Sequence, residues 1–109
     1  MIKLQMFFKV SEGKSEDFER MYSEVYVPAM RKQKGYLGSE LLRVFPEDIS
    51  KEISAAPMDY KYQMEIAFET EDLRRRWVDS PEHKAAWPAA EALASGYEWH
   101  GYDGKNKRR

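Results

Sequence analysis

The stretch DYKYQMEIAFE, residues 59–69, decides the fold of this chain because apolar and polar residues alternate along it. Every second position carries an aromatic or aliphatic side chain: Tyr60, Tyr62, Met64, Ile66 and Phe68. Successive side chains of a β-strand point to opposite faces of its sheet, so a period of two predicts a strand with one face against a core.

The first ten residues, MIKLQMFFKV, follow the same pattern. Their even positions are all apolar up to Val10, and the odd positions are polar apart from Met1 and Phe7. Two further segments, YLGSELLRVF at 36–45 and YEWHGY at 97–102, alternate less regularly and are also interpreted as strands. The chain therefore contains four predicted strands.

An amphipathic helix is predicted between the first two strands. Apolar residues recur there at spacings of three and four from Phe18 to Ala29, which places them on one helical face. Ser15 is expected to cap this helix. Pro28 is expected to kink it, because proline lacks the amide hydrogen, and Gly35 to end it.

A pair of helices is predicted after the central strand. Thr70 caps a short helix that ends near Val78. Ser80, followed by Pro81, begins a second helix that Gly96 closes.

The order strand, helix, strand, strand, helix pair, strand predicts an α+β fold of the ferredoxin-like βαββαβ type. Two right-handed crossovers in this order give a four-stranded antiparallel sheet with the helices on one face. The connection PEDISKEISAAPM at 46–58 allows a short helical turn, and its length favours a flap or a mobile loop. The other sheet face, which includes Phe7, would stay wet in a monomer, so we predict a homodimer whose sheets pack face to face.

Composition bounds the chain to one small domain. The 109 residues are 42% apolar and 34% charged, as in ordinary globular proteins, and 14% aromatic, which hints at a lined cavity or an interface. We predict a single domain at 1–103 and a basic disordered tail, GKNKRR, at 104–109.

Several classes of function are excluded or disfavoured. The chain has no cysteine, so it has no disulfides, thiolate metal sites or cysteine nucleophiles. A net charge of −1 gives no case for nucleic-acid binding, and no apolar run approaches the ~20 residues that span a membrane. The N-terminus does not read as a signal peptide, so a cytoplasmic protein is expected. No phosphate loop or serine nucleophile motif occurs.

Two stretches carry a resemblance to a known family. YVPAMRKQKGYLGSELLR at 26–43 and ETEDLRRRWVDSPEHKAAW at 69–87 resemble a kinked helix end with its second strand, and a helix pair with a Ser-Pro-x-His start. Both are similar to the antibiotic biosynthesis monooxygenase-like family. This resemblance implies a dimeric α+β barrel with a pocket between the sheet and the helices of each subunit. It also implies oxidation of polycyclic phenols without metal or flavin, so no cofactor is expected.

Three interpretations of His83 stay open. It is an early helix residue beside the cap, or it shares a helix face with Trp87 and takes a proton from a phenolic substrate, or it binds heme or a metal. Heme-degrading members of the family carry an asparagine on the first strand, a tryptophan, and a ligand histidine some ten residues later. The resemblance puts Trp77 at the tryptophan, Trp87 at the ligand position and Met6 on or near the asparagine position, which disfavours heme.

We predict His83 as the catalytic residue. Residues with aromatic or soft apolar side chains are the predicted lining of a site for a small aromatic molecule: Trp77, Trp87, Tyr26, Tyr62 and Met6. The alternative for each is a core position, and the alternative for the protein is a module that binds a small ligand without catalysis. His100 is expected at the surface or at the dimer interface, although strand parity alone does not fix its face.

Overall fold

The structure is a computed structural model that describes residues 1–106. Its elements in chain order are β1 (Ile2–Val10), α1 (Ser15–Met21), a π-helical segment (Tyr22–Tyr26), α2 (Val27–Arg31), β2 (Tyr36–Arg43), α3 (Glu47–Glu52), β3 (Tyr62–Phe68), α4 (Glu71–Asp79), α5 (Pro81–Glu91) and β4 (Ala94–Asp103). The predicted ferredoxin-like βαββαβ fold is confirmed. The short helical turn allowed in the 46–58 connection is α3.

The four strands form one antiparallel sheet in the order β2-β3-β1-β4. β1 and β3 are the central strands, and Met6 lies opposite Met64 on one side and Trp99 on the other. The main helices cover the face that carries these three residues, which we call the helix face. The opposite face carries Phe7, Glu98 and the other residues of the alternate parity, and we call it the outer face.

The core lies between the helix face and the helices, as the alternation of 59–69 predicts. β3 supplies its centre because every second residue of that strand is buried. The buried apolar residues are Met6, Phe8, Phe18, Met21, Tyr26, Met30, Tyr62, Met64, Ile66, Phe68, Trp77, Ala86 and Ala90. The alternation assigns Tyr60 to the same stripe, but Tyr60 precedes β3, and its ring lies 5.9 Å from Phe7 of the outer face.

The helical segment around Pro28 contains a π-helical turn that the sequence did not predict. A π-helical segment immediately precedes α2, in which Pro28 occupies the first turn. A wider turn leaves room for a proline that cannot donate to the preceding backbone carbonyls. Lys14 rather than Ser15 stands at the N-cap, and Ser15 is already helical, so the predicted side-chain cap is wrong.

The helix pair begins as predicted and ends earlier. Thr70 accepts a hydrogen bond from the Leu73 amide, and Ser80 accepts one from the His83 amide at 3.1 Å. Gly96 does not close the second helix, because α5 ends at Glu91 and Gly96 lies within β4. The last strand is therefore longer than the predicted 97–102.

The chain after β4 is described only in part. β4 ends at Asp103, the predicted end of the domain, and residues 104–106 are exposed. Residues 107–109 of the predicted basic tail lie outside the described residues, so the division at 103 stays a prediction.

Candidate functional site

A continuous row of aromatic rings crosses the helix face from the core to the β4 edge. We call this set the aromatic row: Trp77, His83, Trp87, Tyr97 and Trp99. All three tryptophans of the chain belong to it. The ring centroids of Trp77 and His83 lie 4.8 Å apart, those of His83 and Trp87 6.4 Å, and those of Trp87 and Trp99 5.9 Å.

The inner half of the aromatic row is built by the elbow between α4 and α5. The Ser80 hydroxyl donates to the Trp77 carbonyl at 2.6 Å and accepts from the His83 amide. This double contact turns the chain within one residue and brings the two rings together edge to face. The four-residue spacing of His83 and Trp87 then sets their rings nearly parallel on one face of α5, with 4° between the planes.

The outer half comes from β4. Tyr97 and Trp99 lie two residues apart on the helix face, and their rings stack with 5.7 Å between centroids. Trp87 meets both of them edge-on. Trp99 remains 51% exposed, although it lies beside the core. The sequence did not predict Tyr97 or Trp99 as site residues. Only the pairing of β4 with β1 determines which alternate residues of this edge strand face the helices.

A cleft of about 310 Å³ opens beside Trp99 at the β4 edge. Its walls come from the start of α4 and from the facing residues of β1 and β4, among them Leu4, Arg74 and Gly101. Arg74 is held there by Glu71, whose carboxylate accepts two hydrogen bonds from its guanidinium, at 2.6 and 2.7 Å. His83, Trp77 and Trp87 do not line this cleft; the aromatic row reaches it through Trp99.

His83 is half-buried, and its surroundings favour the neutral imidazole. Burial lowers the pKa of His83 from its ordinary value of 6.5, and the positive charge of Arg74 lowers it further, while Asp79 acts in the opposite direction. Arg74 in turn holds the pKa of Glu71 at about 2 through its hydrogen bonds. The arrangement therefore keeps a proton acceptor, an uncharged imidazole, among aromatic rings.

The other predicted lining residues are core residues in this structure. Met6, Tyr26, Tyr62 and Trp77 are all buried. Tyr26 meets Trp77 edge to face at 5.8 Å, and burial raises the pKa of its hydroxyl. A role for these residues in substrate binding stays a prediction.

Tyr62 directs its hydroxyl away from the aromatic row. It donates to the Glu19 carboxylate, which also lies 3.6 Å from Arg43. Together with Tyr22, these residues border a second cleft of about 490 Å³ at the β2 edge. The structure therefore separates Tyr62 from His83, although sequence periodicity puts both on inner positions.

His100 lies on the outer face, as expected for a surface or interface residue. Its ring lies 3.1 Å from the Glu98 carboxylate and 6.0 Å from the Phe7 ring, on the opposite side of the sheet from the aromatic row. Within residues 1–106, no three acidic or histidine side chains are grouped so that they could hold a metal ion. No helix in that range is long and apolar enough to cross a membrane.

Comparison with known proteins gives one family. A family model described as antibiotic biosynthesis monooxygenase matches residues 1–89. That range includes everything up to the end of α5 except its last residues, and it leaves out β4. No curated protein sequence matches the chain.

Solved structures with the same fold include a cofactor-independent oxygenase and a protein with bound porphyrin. SnoaB from Streptomyces nogalater, a cofactor-independent oxygenase, is 20% identical to this chain. The match covers 97% of this chain and 94% of SnoaB, with a TM-score of 0.75. A mutant of MhuD, with two manganese protoporphyrin IX molecules bound per active site, is 16% identical, covers 100% and 99%, and has a TM-score of 0.76. At these identities the similarity shows the fold alone.

Proposed function

Because the chain belongs to the antibiotic biosynthesis monooxygenase family, we propose that it is a cofactor-independent monooxygenase of a small aromatic, phenol- or quinol-like compound. The observation that carries the proposal is the aromatic row with the half-buried His83 between two tryptophan rings. We also propose that the protein is cytoplasmic and that it forms a homodimer, as expected from the sequence.

The chemistry requires little from a protein beyond binding and proton transfer. A phenol that loses its proton becomes electron-rich enough to pass one electron to O₂, and the two radicals then combine into a carbon-bound peroxide. Loss of water from the peroxide leaves a carbonyl where the ring carried hydrogen. One oxygen atom of O₂ enters the product and the other leaves as water. A site for this reaction must orient the ring, accept the proton and exclude bulk water.

His83 is the proposed base. An imidazole that is neutral at pH 7 can accept a phenolic proton, and the lowered pKa of His83 keeps it in that form. The imidazolium formed in this step can return the proton to the departing peroxide oxygen. Arg74 then has two effects: its charge disfavours the imidazolium and favours a phenolate nearby.

Trp87 and Trp99 are the proposed contacts for the ring of the substrate. Flat rings stack or meet edge-on at centroid distances of 4.5–7 Å, the range found within the aromatic row. Trp99 is half exposed and borders the cleft, so a flat ligand can reach the row from there. Trp77, Tyr26 and Met6 stay in the proposal as the buried wall behind the site. Tyr62 stays in it as a contact for a ligand that enters the cleft at the β2 edge, which it borders.

The competing proposal is a module that binds a small hydrophobic ligand without catalysis. It is favoured by one observation: the cleft beside Trp99 is not lined by His83. A ligand that stays in the cleft would touch Trp99 and Arg74 but no base. Heme degradation is a weaker alternative, because the family resemblance puts Trp87 where the ligand histidine is expected and Met6 on or near the position of the asparagine.

Oxygen consumption with anthrone-like and hydroquinone substrates tests the proposal. We expect uptake by the wild type and a loss of about 10²-fold or more in His83→Ala, the usual range for losing a positioned base. Lys84→Ala, an exposed change one residue along α5, is the matched control and should retain the wild-type rate. An equal rate in His83→Ala would remove His83 as the base.

Tryptophan fluorescence separates the two proposals. Since every tryptophan of the chain lies in the aromatic row, quenching by a phenolic ligand reports on this region alone. Quenching without oxygen uptake would favour the binding module. The absence of both quenching and oxygen uptake would contradict both proposals. Titration with hemin, followed by its Soret band, tests the heme alternative.

A further inference from the structure

The connection between β2 and β3 carries an apolar stripe that faces solvent. We call residues 44–60 the arm. Phe45, Ile49 and Ile53 are spaced four residues apart along α3 and its flanks, which places them on one face of the helix. Their side chains are 59%, 38% and 59% exposed, and α3 buries none of its own residues.

Such a helix is expected to need a surface to pack on. Isolated helices shorter than about 12–15 residues are marginal in water, and α3 has only 6 residues. In a globular protein the apolar stripe of a short helix normally supplies the missing stability by facing the core. Here all three side chains of the stripe stay exposed on their own subunit, so that subunit does not supply the packing surface.

The arm also contains a cavity. It measures about 710 Å³ and lies between α3 and the returning segment 55–61. Phe45, Pro57 and Met58 are among its apolar walls, and Met58 is 46% exposed. The arm therefore offers both projecting side chains and a recess, the two features of a surface that interlocks with another.

The exposed apolar surface of the arm continues onto the outer face of the sheet. At its base, the Tyr60 ring lies 5.9 Å from Phe7, and its hydroxyl donates to Glu98 at 2.5 Å. Leu42, the last apolar residue of β2 before the arm, is 45% exposed and has the outer-face parity of Gln63, its partner in β3. A partner that covers the outer face would thus meet the arm as well.

The size of the surface fits a partner of one subunit. The chain exposes 7544 Å², whereas a compact monomer of its mass exposes roughly 6300 Å². The excess, on the order of 1000 Å², includes the exposed residues 104–106 as well as the arm, and it is comparable with the roughly 800 Å² that each partner buries in a standard interface. The radius of gyration is 14.6 Å, against about 13 Å for a compact chain of this length.

We propose that the arm packs against a second copy of this chain, with Phe45, Ile49 and Ile53 as its anchoring side chains. The inference rests on the proposed homodimer and adds to it the surface that holds the subunits together. A second copy is the occupant that fits, because a two-fold interface uses the same patch on both subunits and so buries both arms together with both outer faces.

Sedimentation velocity over a range of concentrations tests the arm. We expect the wild type to sediment as a pair, and Ile49→Asp/Ile53→Asp to raise the dissociation constant of the pair by about 100-fold or more, since buried anchors dominate an interface. The matched control is Val25→Asp/Val78→Asp, two valines exposed to a similar degree outside the arm, which should sediment as the wild type does.

A spin label on the arm provides an independent test, because it introduces no charged side chain into the interface. The chain has no cysteine, so Ile53→Cys and the control Val25→Cys each accept one spin label. We expect an immobilised label at 53 that becomes mobile on dilution, and a mobile label at 25 throughout. A wild type that sediments as one subunit, or a pair that the double aspartate variant leaves intact, would overturn the proposal. Oxygen uptake by the same proteins reports on His83 separately.

Discussion

The two edges of the helix face are built by different interactions. At the β4 edge, Trp87, Tyr97 and Trp99 meet ring against ring, and the cleft beside them is bordered by a half-exposed indole. At the β2 edge, the Tyr22 hydroxyl donates to Ser39 at 2.8 Å, and Ser39 donates to the Glu65 carbonyl at 2.7 Å.

The two edges should therefore respond differently to a ligand. Hydrogen bonds have fixed directions, and breaking one at a buried position leaves a group without a partner. Contacts between rings are less directional and are easily replaced by contacts with another ring. The β4 edge can therefore exchange its own ring contacts for those of a flat ligand. At the β2 edge, a ligand in the cleft of about 490 Å³ would instead meet hydrogen bonds that already hold helix to sheet.

Trp77→Ala should destabilise the fold most, because Trp77 lies where the aromatic row joins the core. Trp77 is buried between Tyr26 and His83 at the inner end of the row. Trp77→Ala should lower the free energy of unfolding by about 3–5 kcal/mol, because it leaves a large cavity. Denaturant unfolding measures this, and Trp77→Phe, which keeps a ring, should recover much of the loss. A loss below about 1 kcal/mol would mean that Trp77 belongs to a yielding site rather than to the core.

A smaller effect tests the hydrogen bonds at the β2 edge. Tyr22→Phe removes the hydroxyl that bonds Ser39 and should lower the free energy of unfolding by about 1 kcal/mol. Tyr36→Phe is the matched control, because that ring packs on Phe68 and no hydrogen bond contributes to the pKa of its hydroxyl. Equal stability of the two variants would contradict the contrast between the edges. Neither change should alter ligand binding at the β4 edge.

An effect no larger than this is expected at the open end of the aromatic row. Trp99 is half exposed and contacts Trp87 and Tyr97 only through its buried half, so Trp99→Ala should lower the free energy of unfolding by no more than about 1 kcal/mol. The same change should weaken binding of a phenolic ligand by about tenfold, the loss expected for one stacked ring. Unfolding curves and fluorescence titrations measure the two effects. Unchanged affinity would place the ligand away from the β4 edge.

The alternation of 59–69 predicts its strand correctly because the inward residues from Tyr62 to Phe68 all contact the core, and a one-residue shift would expose them all. Tyr60, outside the strand, is the exception. Caps at Thr70 and Ser80 are predictable for the same local reason, since their partners lie three residues away. The caps assigned to Ser15 and Gly96 are wrong. The Ser15 hydroxyl accepts a hydrogen bond from Lys61 instead, and Gly96 pairs with Lys9 inside β4.

The candidate site is predictable only where neighbours in space are neighbours in sequence. Trp77, His83 and Trp87 lie within one helix pair, so their spacing indicates contact. Trp99 is distant in the chain and joins them through pairing of β4 with β1. Periodicity places Tyr62 with them, but a hydrogen bond to Glu19 takes its hydroxyl to the other edge.

The mildest test changes only the pH. The folded-state pKa of His83 lies below its unfolded value of 6.5, because burial and Arg74 disfavour the charged ring. Neutral His83 therefore contributes stability that is fully present above pH 6.5 and is lost as the pH falls through the folded pKa. Nuclear magnetic resonance can follow the ring directly, since His100→Gln leaves His83 as the only histidine.

We expect the His83 signal to titrate below pH 6.5 and the acidic limb of the oxygen-uptake profile to share its midpoint. Arg74→Gln removes the nearby positive charge and should move both midpoints upward together. If only the resonance moves, His83 senses the charge of Arg74 but does not limit the reaction, and the base lies elsewhere. If neither midpoint moves, water screens the charge of Arg74 from His83. Such screening is expected of an open cleft that binds a ligand without catalysis.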